Sequence, residues 1–137
     1  MKRRNFLKLS GTSLMAILTP LGPALAAPLT KMEGNKMIIV TFEVEFEDDQ
    51  IQQKREAIRA MDEATAMEPG CITYKSSFDV NNPRILRIYE IWDSMDALIP
   101  HFQTSHMAEF QTALAGLSSK SMEAKVYEVS KELPFPN

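Results

Sequence analysis

The sequence contains a single cysteine, Cys71, among 137 residues. One cysteine cannot form a disulfide within the chain, and it cannot supply the thiolates of a structural zinc or iron–sulfur cluster. Histidine and tryptophan are also scarce, with two and one copies. The stability of the fold must therefore come from a hydrophobic core, to which a chain of this size commonly adds an oligomer interface.

Cofactor-binding motifs are absent from the sequence. Its five glycines form no phosphate-binding loop, no dinucleotide-binding turn and no nucleophile elbow. There is no HExxH or comparable cluster of metal ligands, and His101 and His106, five residues apart, are not expected to share one helix face. We therefore predict no metal and no cofactor. Any chemistry would use a substrate that is reactive in its own right, or a cofactor held mainly by shape.

Basic residues open the chain and an apolar run follows. Lys2, Arg3, Arg4 and Lys8 precede the run from Leu9 to Leu25, which is interrupted by glycine and proline and ends in a small-x-small pattern. This arrangement predicts a signal peptide at residues 1–26, removed on export to the periplasm or another extracytoplasmic space, because the run is too short and too interrupted to span a membrane. The segment RRNFLK resembles the twin-arginine signal for folded proteins. An ordinary signal peptide with two arginines is the alternative.

The predicted mature chain is acidic. Removal of residues 1–26 leaves 11 Lys and Arg against 18 Asp and Glu, a net charge of −7. Such a chain, without a basic cluster, is not expected to bind nucleic acid or to insert stably into a membrane. We predict a flexible leader at 27–36, one domain at 37–130 and a C-terminal extension at 131–137.

Hydrophobic periodicity predicts four strands and two helical regions in that domain. Side chains alternate at 37–46, 71–78, 85–92 and 120–129, whereas helices are predicted between Asp48 and Glu68 and over 95–115. The order βαββαβ is that of a ferredoxin-like α+β domain, with both helices on one face of an antiparallel sheet. The other face would carry Ile39, Tyr89 and Ile91, which predicts a homodimer through the sheet faces.

Trp92, Glu90 and His101 are the first candidates for a site. Trp92 and Glu90 share the more apolar face of the third strand, and His101 borders an apolar pair, Leu98 and Phe102, on the following helix. These residues could line a space between sheet and helices, where an imidazole can act as a general base near neutral pH. The alternative is a boundary histidine satisfied by a backbone carbonyl or by Glu90.

Other polar residues near this region have two interpretations each. Burial of the Glu90 carboxylate in an apolar strand costs free energy unless it is paired with a histidine, a tyrosine or a backbone group, or faces a polar cavity. His106 follows a predicted helix break at Thr104-Ser105, where it could cap a helix or lie at a pocket mouth. Tyr74 could direct its hydroxyl into a pocket or serve only as a core residue. Pro100 predicts a kink in the helix that carries His101.

Two motifs in this order resemble the antibiotic biosynthesis monooxygenase family, and particularly its small quinol monooxygenase-like members. They are EPGC…Y at 68–74 and ExWxS…LxxHFQTSHM…F at 90–110, and the resemblance extends over residues 37–130. It implies a dimeric ferredoxin-like α+β barrel with a pocket in each monomer between sheet and helices. It also implies oxygenation of phenols or hydroquinones with molecular oxygen, without metal or flavin.

The resemblance also implies roles for individual residues. His101 is the expected catalytic base, and the expected substrate-binding residues are Phe42, Tyr74, Glu90, Trp92, Phe102 and His106. Haem-degrading relatives use an asparagine on the first strand, a tryptophan on the third and a histidine on the last helix. This chain keeps Trp92 but has Phe42 and Gln111 at the other positions, so haem degradation is the less favoured function. A module that only binds a small aromatic molecule is the other alternative.

Overall fold

A computed structural model describes residues 36–136 of the chain. The predicted signal peptide at 1–26 and nearly all of the predicted leader lie outside the described residues. The first described strand, β1 (Ile38–Phe46), has the alternation that its sequence predicts, with Ile38, Val40, Val44 and Phe46 buried.

The described fold contains four β-strands, three α-helices and one 3-10 helix. After β1, a 3-10 helix (Asp49–Lys54) begins at the Asp48 cap and leads directly into α1 (Arg55–Thr65). The remaining elements are β2 (Cys71–Phe78), β3 (Ile85–Trp92), α2 (Met95–His101), α3 (Ser105–Leu114) and β4 (Ser119–Glu128).

The four strands form one antiparallel sheet in the order β2-β3-β1-β4. This is the ferredoxin-like order, and it confirms the predicted α+β class. In the register, Val40 lies opposite Glu90 and Ile38 opposite Trp92, while Tyr74 of β2 lies opposite Glu90. The sheet therefore brings Tyr74, Glu90 and Trp92 close together.

The helices pack on one face of the sheet and divide the core into two clusters. The larger cluster joins β1, β2 and β3 to α1 and α3, and Phe42 packs against it. The smaller cluster consists of Ile38, Val40, Trp92 and Leu98. The candidate site residues lie where these two clusters meet.

The predicted second helical region is two helices, α2 and α3. Pro100 lies inside α2, which ends one residue later at His101. Thr104 then starts α3, because its side-chain oxygen accepts from the Met107 N–H. The helix break predicted at Thr104-Ser105 is confirmed, and it turns the start of α3 back toward the end of α2.

The sheet face opposite the helices carries apolar side chains in contact with water. Tyr89 is 43% exposed and Tyr127 is 47% exposed on this face, where Ile39 pairs with both Ile91 and Tyr127. Within residues 36–136, no helix has the length and apolar character needed to cross a bilayer.

Candidate functional site

The Glu68 carboxylate connects the two histidines of the chain. His101 Nδ1 and His106 Nε2 each lie 2.6 Å from the same oxygen, Glu68 Oε1. The sequence placed Glu68 at the end of a helix and in the EPGC motif, and it offered a backbone carbonyl or Glu90 as the partner of His101. Both suggested partners were wrong, because Glu90 accepts from Trp92 and the imidazole turns toward Glu68 in the loop that follows α1.

A tight turn holds Glu68 in place. Gly70 has a φ of +81°, a conformation that glycine adopts without strain, and a Cβ at this position would overlap Ala97 and the Asp93 carboxylate. The Asp93 N–H also donates to the Gly70 carbonyl at 2.8 Å. The Glu68-Pro69-Gly70 turn is therefore packed against the start of α2, the helix that ends at His101.

His101 is a buried residue, not the boundary residue that the sequence predicted. It is 0% exposed, and its ring centroid lies 5.2 Å from that of Trp92, 5.6 Å from Tyr74 and 5.4 Å from Phe102. Burial lowers the pKa of this imidazole, and the neighbouring Glu68 carboxylate opposes that shift. His101 is therefore held toward its neutral form.

The second ring nitrogen of His101 has no hydrogen-bond partner. Nε2 is buried without a donor or acceptor among the described residues. In the neutral imidazole only one nitrogen carries a proton. Because Nδ1 faces the Glu68 carboxylate, the N–H belongs there, and Nε2 carries a lone pair beside the Tyr74 and Trp92 rings.

His106 lies close to His101, contrary to the expectation drawn from their spacing. The argument from spacing treated both histidines as part of one helix and did not apply the predicted break at Thr104-Ser105. His106 is the second residue of α3, and its side chain is 21% exposed. The ligand atoms of Glu68, His101 and His106 all lie within 4.8 Å of one another. The predicted absence of a cluster of metal-ligand residue types is therefore wrong.

Glu90 is buried beside the same group of rings. Its Oε2 accepts a 2.8 Å hydrogen bond from Trp92 Nε1, a partner that the sequence interpretation did not consider. Burial raises the pKa of the Glu90 carboxyl, and the Trp92 bond offsets only part of that shift. Burial and the Glu90 charge also raise the pKa of the Tyr74 hydroxyl, so Tyr74 remains protonated.

The two expected phenylalanine walls differ in position. Phe42 is half-buried on the helix-facing side of β1 and packs against the cluster that contains Tyr74. Phe102 is 51% exposed because α2 ends at His101, and it does not complete the buried apolar pair expected with Leu98. The edge of its ring still contacts the imidazole of His101.

Two surface depressions occur in the part of the molecule that the structure describes. One of about 300 Å³ is lined by Glu68 together with Asp93, Asp96 and Pro100. Another, of about 280 Å³, lies between α1 and β2, around Arg55, Arg59 and Ser77. Neither of these two includes Tyr74, Trp92 or His101, and Nε2 itself is buried among the described residues.

Comparison with known proteins identifies relatives of the domain. An uncharacterized protein from Synechocystis is 28% identical over 94 residues, which are 69% of this chain and 64% of that protein. The chain thus spans less than two thirds of the length of that relative.

Solved structures show the same fold. A conserved protein from Methanosarcina mazei is 26% identical, with a TM-score of 0.62 over 69% of this chain and 93% of that one. A protein from Nitrosomonas europaea, proposed to be an antibiotic biosynthesis monooxygenase, is 18% identical with a TM-score of 0.64, over 71% and 93% of the two chains.

The family assignment follows from the length of the match. Residues 37–113 match the antibiotic biosynthesis monooxygenase family, and they extend from β1 through most of α3. The match therefore includes Glu68, both histidines and the aromatic residues around them. The chain belongs to the antibiotic biosynthesis monooxygenase family.

Proposed function

We propose that the protein oxidises a small phenol or quinol with molecular oxygen and without a resident cofactor, using His101 as the general base. The observation that carries this proposal is the buried His101 Nε2, which has no hydrogen-bond partner among the described residues and belongs to an imidazole close to the Tyr74 and Trp92 rings. A lone pair in that position can accept a proton from a phenolic O–H. Family membership supports an oxidation of monooxygenase type.

The proposed chemistry needs no electron source besides the substrate. Loss of a proton makes a quinol electron-rich enough to pass one electron to oxygen, and the resulting radical pair can combine at a ring carbon. Loss of water from the peroxide leaves a hydroxylated quinone. In total, quinol and O₂ give hydroxyquinone and water, so one oxygen atom enters the ring and the other leaves with two hydrogens.

Each neighbour of His101 has a separate role in this scheme. Glu68 fixes the ring by accepting from Nδ1 and stabilises the imidazolium that forms when Nε2 takes the proton. Trp92 and Tyr74 offer aromatic surfaces against which a planar ring can stack. Phe102, half-exposed and edge-on to His101, is assigned to the entrance, because a substrate must displace a covering side chain to reach Nε2.

Oxygen uptake with a panel of hydroquinones tests this proposal. The His101→Asn variant is suitable because the amide nitrogen of asparagine can replace Nδ1 as donor to Glu68, while nothing replaces Nε2. We expect turnover to fall by about 10²–10⁴-fold, the usual contribution of a general base. Glu68→Gln should also lower turnover, whereas Glu63→Gln, an exposed change on α1, should not. Wild-type turnover by His101→Asn would show that the base is another group.

A binding module of the same fold is the second candidate, because the aromatic side chains of Tyr74 and Trp92 beside His101 could also hold a ligand without turnover. Such a module would be stabilised by an aromatic ligand in thermal unfolding, and that stabilisation would be accompanied by no oxygen uptake with any quinol. The same panel of compounds, measured by both methods, separates the two functions.

A further inference from the structure

We propose that Glu68, His101 and His106 form a binding site for one divalent transition-metal ion of the zinc type. Two imidazole nitrogens and one carboxylate oxygen are a common ligand set for Zn²⁺, Co²⁺ and Fe²⁺ in proteins. The three ligand atoms come from the loop after α1, the end of α2 and the start of α3, and they lie within 4.8 Å of one another. Nothing in the family match assigns a metal to these residues.

The geometry of the cluster is close to that of a metal site. Tetrahedral zinc ligands at bond lengths near 2.1 Å are separated by roughly 3.4 Å. The two nitrogens now lie 2.6 Å from Glu68 Oε1, so each would move away from that oxygen by less than about 1 Å. The two nitrogens lie within 4.8 Å of each other, so they would approach each other by at most about 1.4 Å. His106 can make this movement, because it stands in the first turn of α3 and is partly exposed. The same exposure leaves room for water as the fourth ligand.

The charge around the cluster also favours a cation. Glu68 lines the depression of about 300 Å³ that contains Asp93 and Asp96, so three carboxylates border one approach to the site. Among the described residues, no lysine or arginine lines this depression. A cation that enters the depression can therefore reach the Glu68 side chain without passing one of these positively charged residues.

Metal binding would change the proton on His101. A metal bound at Nδ1 displaces the ring proton to Nε2, because a neutral imidazole carries one N–H. Nε2 would then be a donor and could no longer accept a phenolic proton. Zinc should therefore inhibit quinol turnover. This inhibition rests on the proposed function, whereas the binding of the metal does not.

Direct titration of the full-length, untagged protein tests the site. After treatment with a chelator and its removal, Zn²⁺ is added in a calorimeter, and Co²⁺ is followed by its visible absorption. We expect one ion per chain. His106→Gln should weaken binding by at least tenfold, because glutamine can donate to Glu68 but cannot replace the imidazole ligand. Glu63→Gln is the control, since Glu63 is exposed on α1 and belongs neither to the ligand set nor to the lining of this depression, and it should leave the affinity nearly unchanged.

Circular dichroism verifies that each variant folds. If His106→Gln does not fold, Glu68→Gln is used in its place. Absence of saturable binding would overturn the proposal, as would equal affinity in wild type and His106→Gln, which would indicate adventitious binding to surface carboxylates. If the protein binds no zinc but turns over a quinol, and this turnover requires His101, the metal site is overturned and the proposed function is supported. Zinc binding without turnover of any quinol would support the metal site and contradict the proposed function.

Discussion

Glu68 is the residue whose role the sequence concealed. It lies 33 positions before His101 and 38 before His106, and periodicity gives no information on contacts between residues so far apart. The EPGC motif at 68–71 contributed to the family resemblance but indicated no contact of Glu68 with either histidine. The group formed by Trp92, Glu90, Tyr74 and His101 was easier to predict in part, because strand alternation places Trp92 and Glu90 on one face. The face of Tyr74 was left open by the sequence and follows from its register opposite Glu90. The orientation and the burial of the His101 ring were not predicted, because both depend on the break between α2 and α3.

The buried Glu90 carboxyl predicts a dependence of stability on pH. Burial raises its pKa in the native state, so the native protein binds this proton more strongly than the unfolded chain does. The stability contributed by the protonated group is complete below the unfolded pKa of about 4.5 and is lost as pH rises through the native pKa. Glu90→Gln keeps an oxygen that can accept from Trp92 Nε1 but has no proton to lose.

The Glu90→Gln variant should therefore gain stability over wild type as pH rises from 4 to 7. The gain should be about 1.4 kcal/mol for each unit by which the native pKa is raised. Urea unfolding at several pH values measures this difference, with the exposed Glu63→Gln as control. A constant difference across the pH range would contradict the assigned burial of an ionisable carboxyl.

At the scale of secondary-structure elements, the hydrophobic pattern of the sequence was sufficient to predict the four strands of the sheet. The four strands lie within one or two residues of their predicted bounds, because their sequences alternate in polarity. Burial follows that alternation in β1 and β3, whereas β4 has no buried residue. The predicted helix over 95–115 differed more, since Pro100 and the Thr104 cap divide it into two. Sequence predicted the break but not its consequence, which is that His106 returns to the carboxylate of Glu68.

The turn that carries Glu68 can be tested with a pair of glycine substitutions. Gly70 and Gly116 both have positive φ, of +81° and +88°, but only Gly70 is surrounded by other atoms, because nothing lies within 4 Å of a Cβ at Gly116. Gly116→Ala should cost about 1–2 kcal/mol, the backbone penalty alone. Gly70→Ala should cost clearly more, because its Cβ overlaps Ala97 in α2. Chemical denaturation of both variants provides the comparison, and equal losses would show that the turn adapts freely.

At the scale of the whole molecule, the face of the sheet opposite the helices is the main unexplained surface. Tyr89, Tyr127 and Ile91 lie there beside Ile39, in a domain whose helices cover only the other face. Exposed apolar residues on a sheet of this kind favour association with a second copy. A homodimer through this face remains a prediction, since a single chain cannot test it.

The Ile91→Lys substitution tests that dimer. A lysine at the centre of the face would lose its hydration without gaining a partner, so we expect monomers or insoluble protein. Val80→Lys is the control, because Val80 lies in the β2–β3 turn and is 98% exposed. Sedimentation at micromolar concentration gives the oligomeric state. A wild-type protein that sediments as a monomer would contradict the prediction.

Isotope labelling tests the central claim, oxygenation of a quinol by His101 and oxygen, most directly. The full-length protein is incubated with a hydroquinone under ¹⁸O₂, and the product is analysed by mass spectrometry immediately after quenching, with His101→Asn as the control for spontaneous oxidation. The proposed chemistry predicts a hydroxylated quinone that gains one ¹⁸O atom for each O₂ consumed, formed much faster by wild type than by His101→Asn. Unlabelled quinone with hydrogen peroxide, or no oxygen consumption in the presence of a bound quinol, would contradict it.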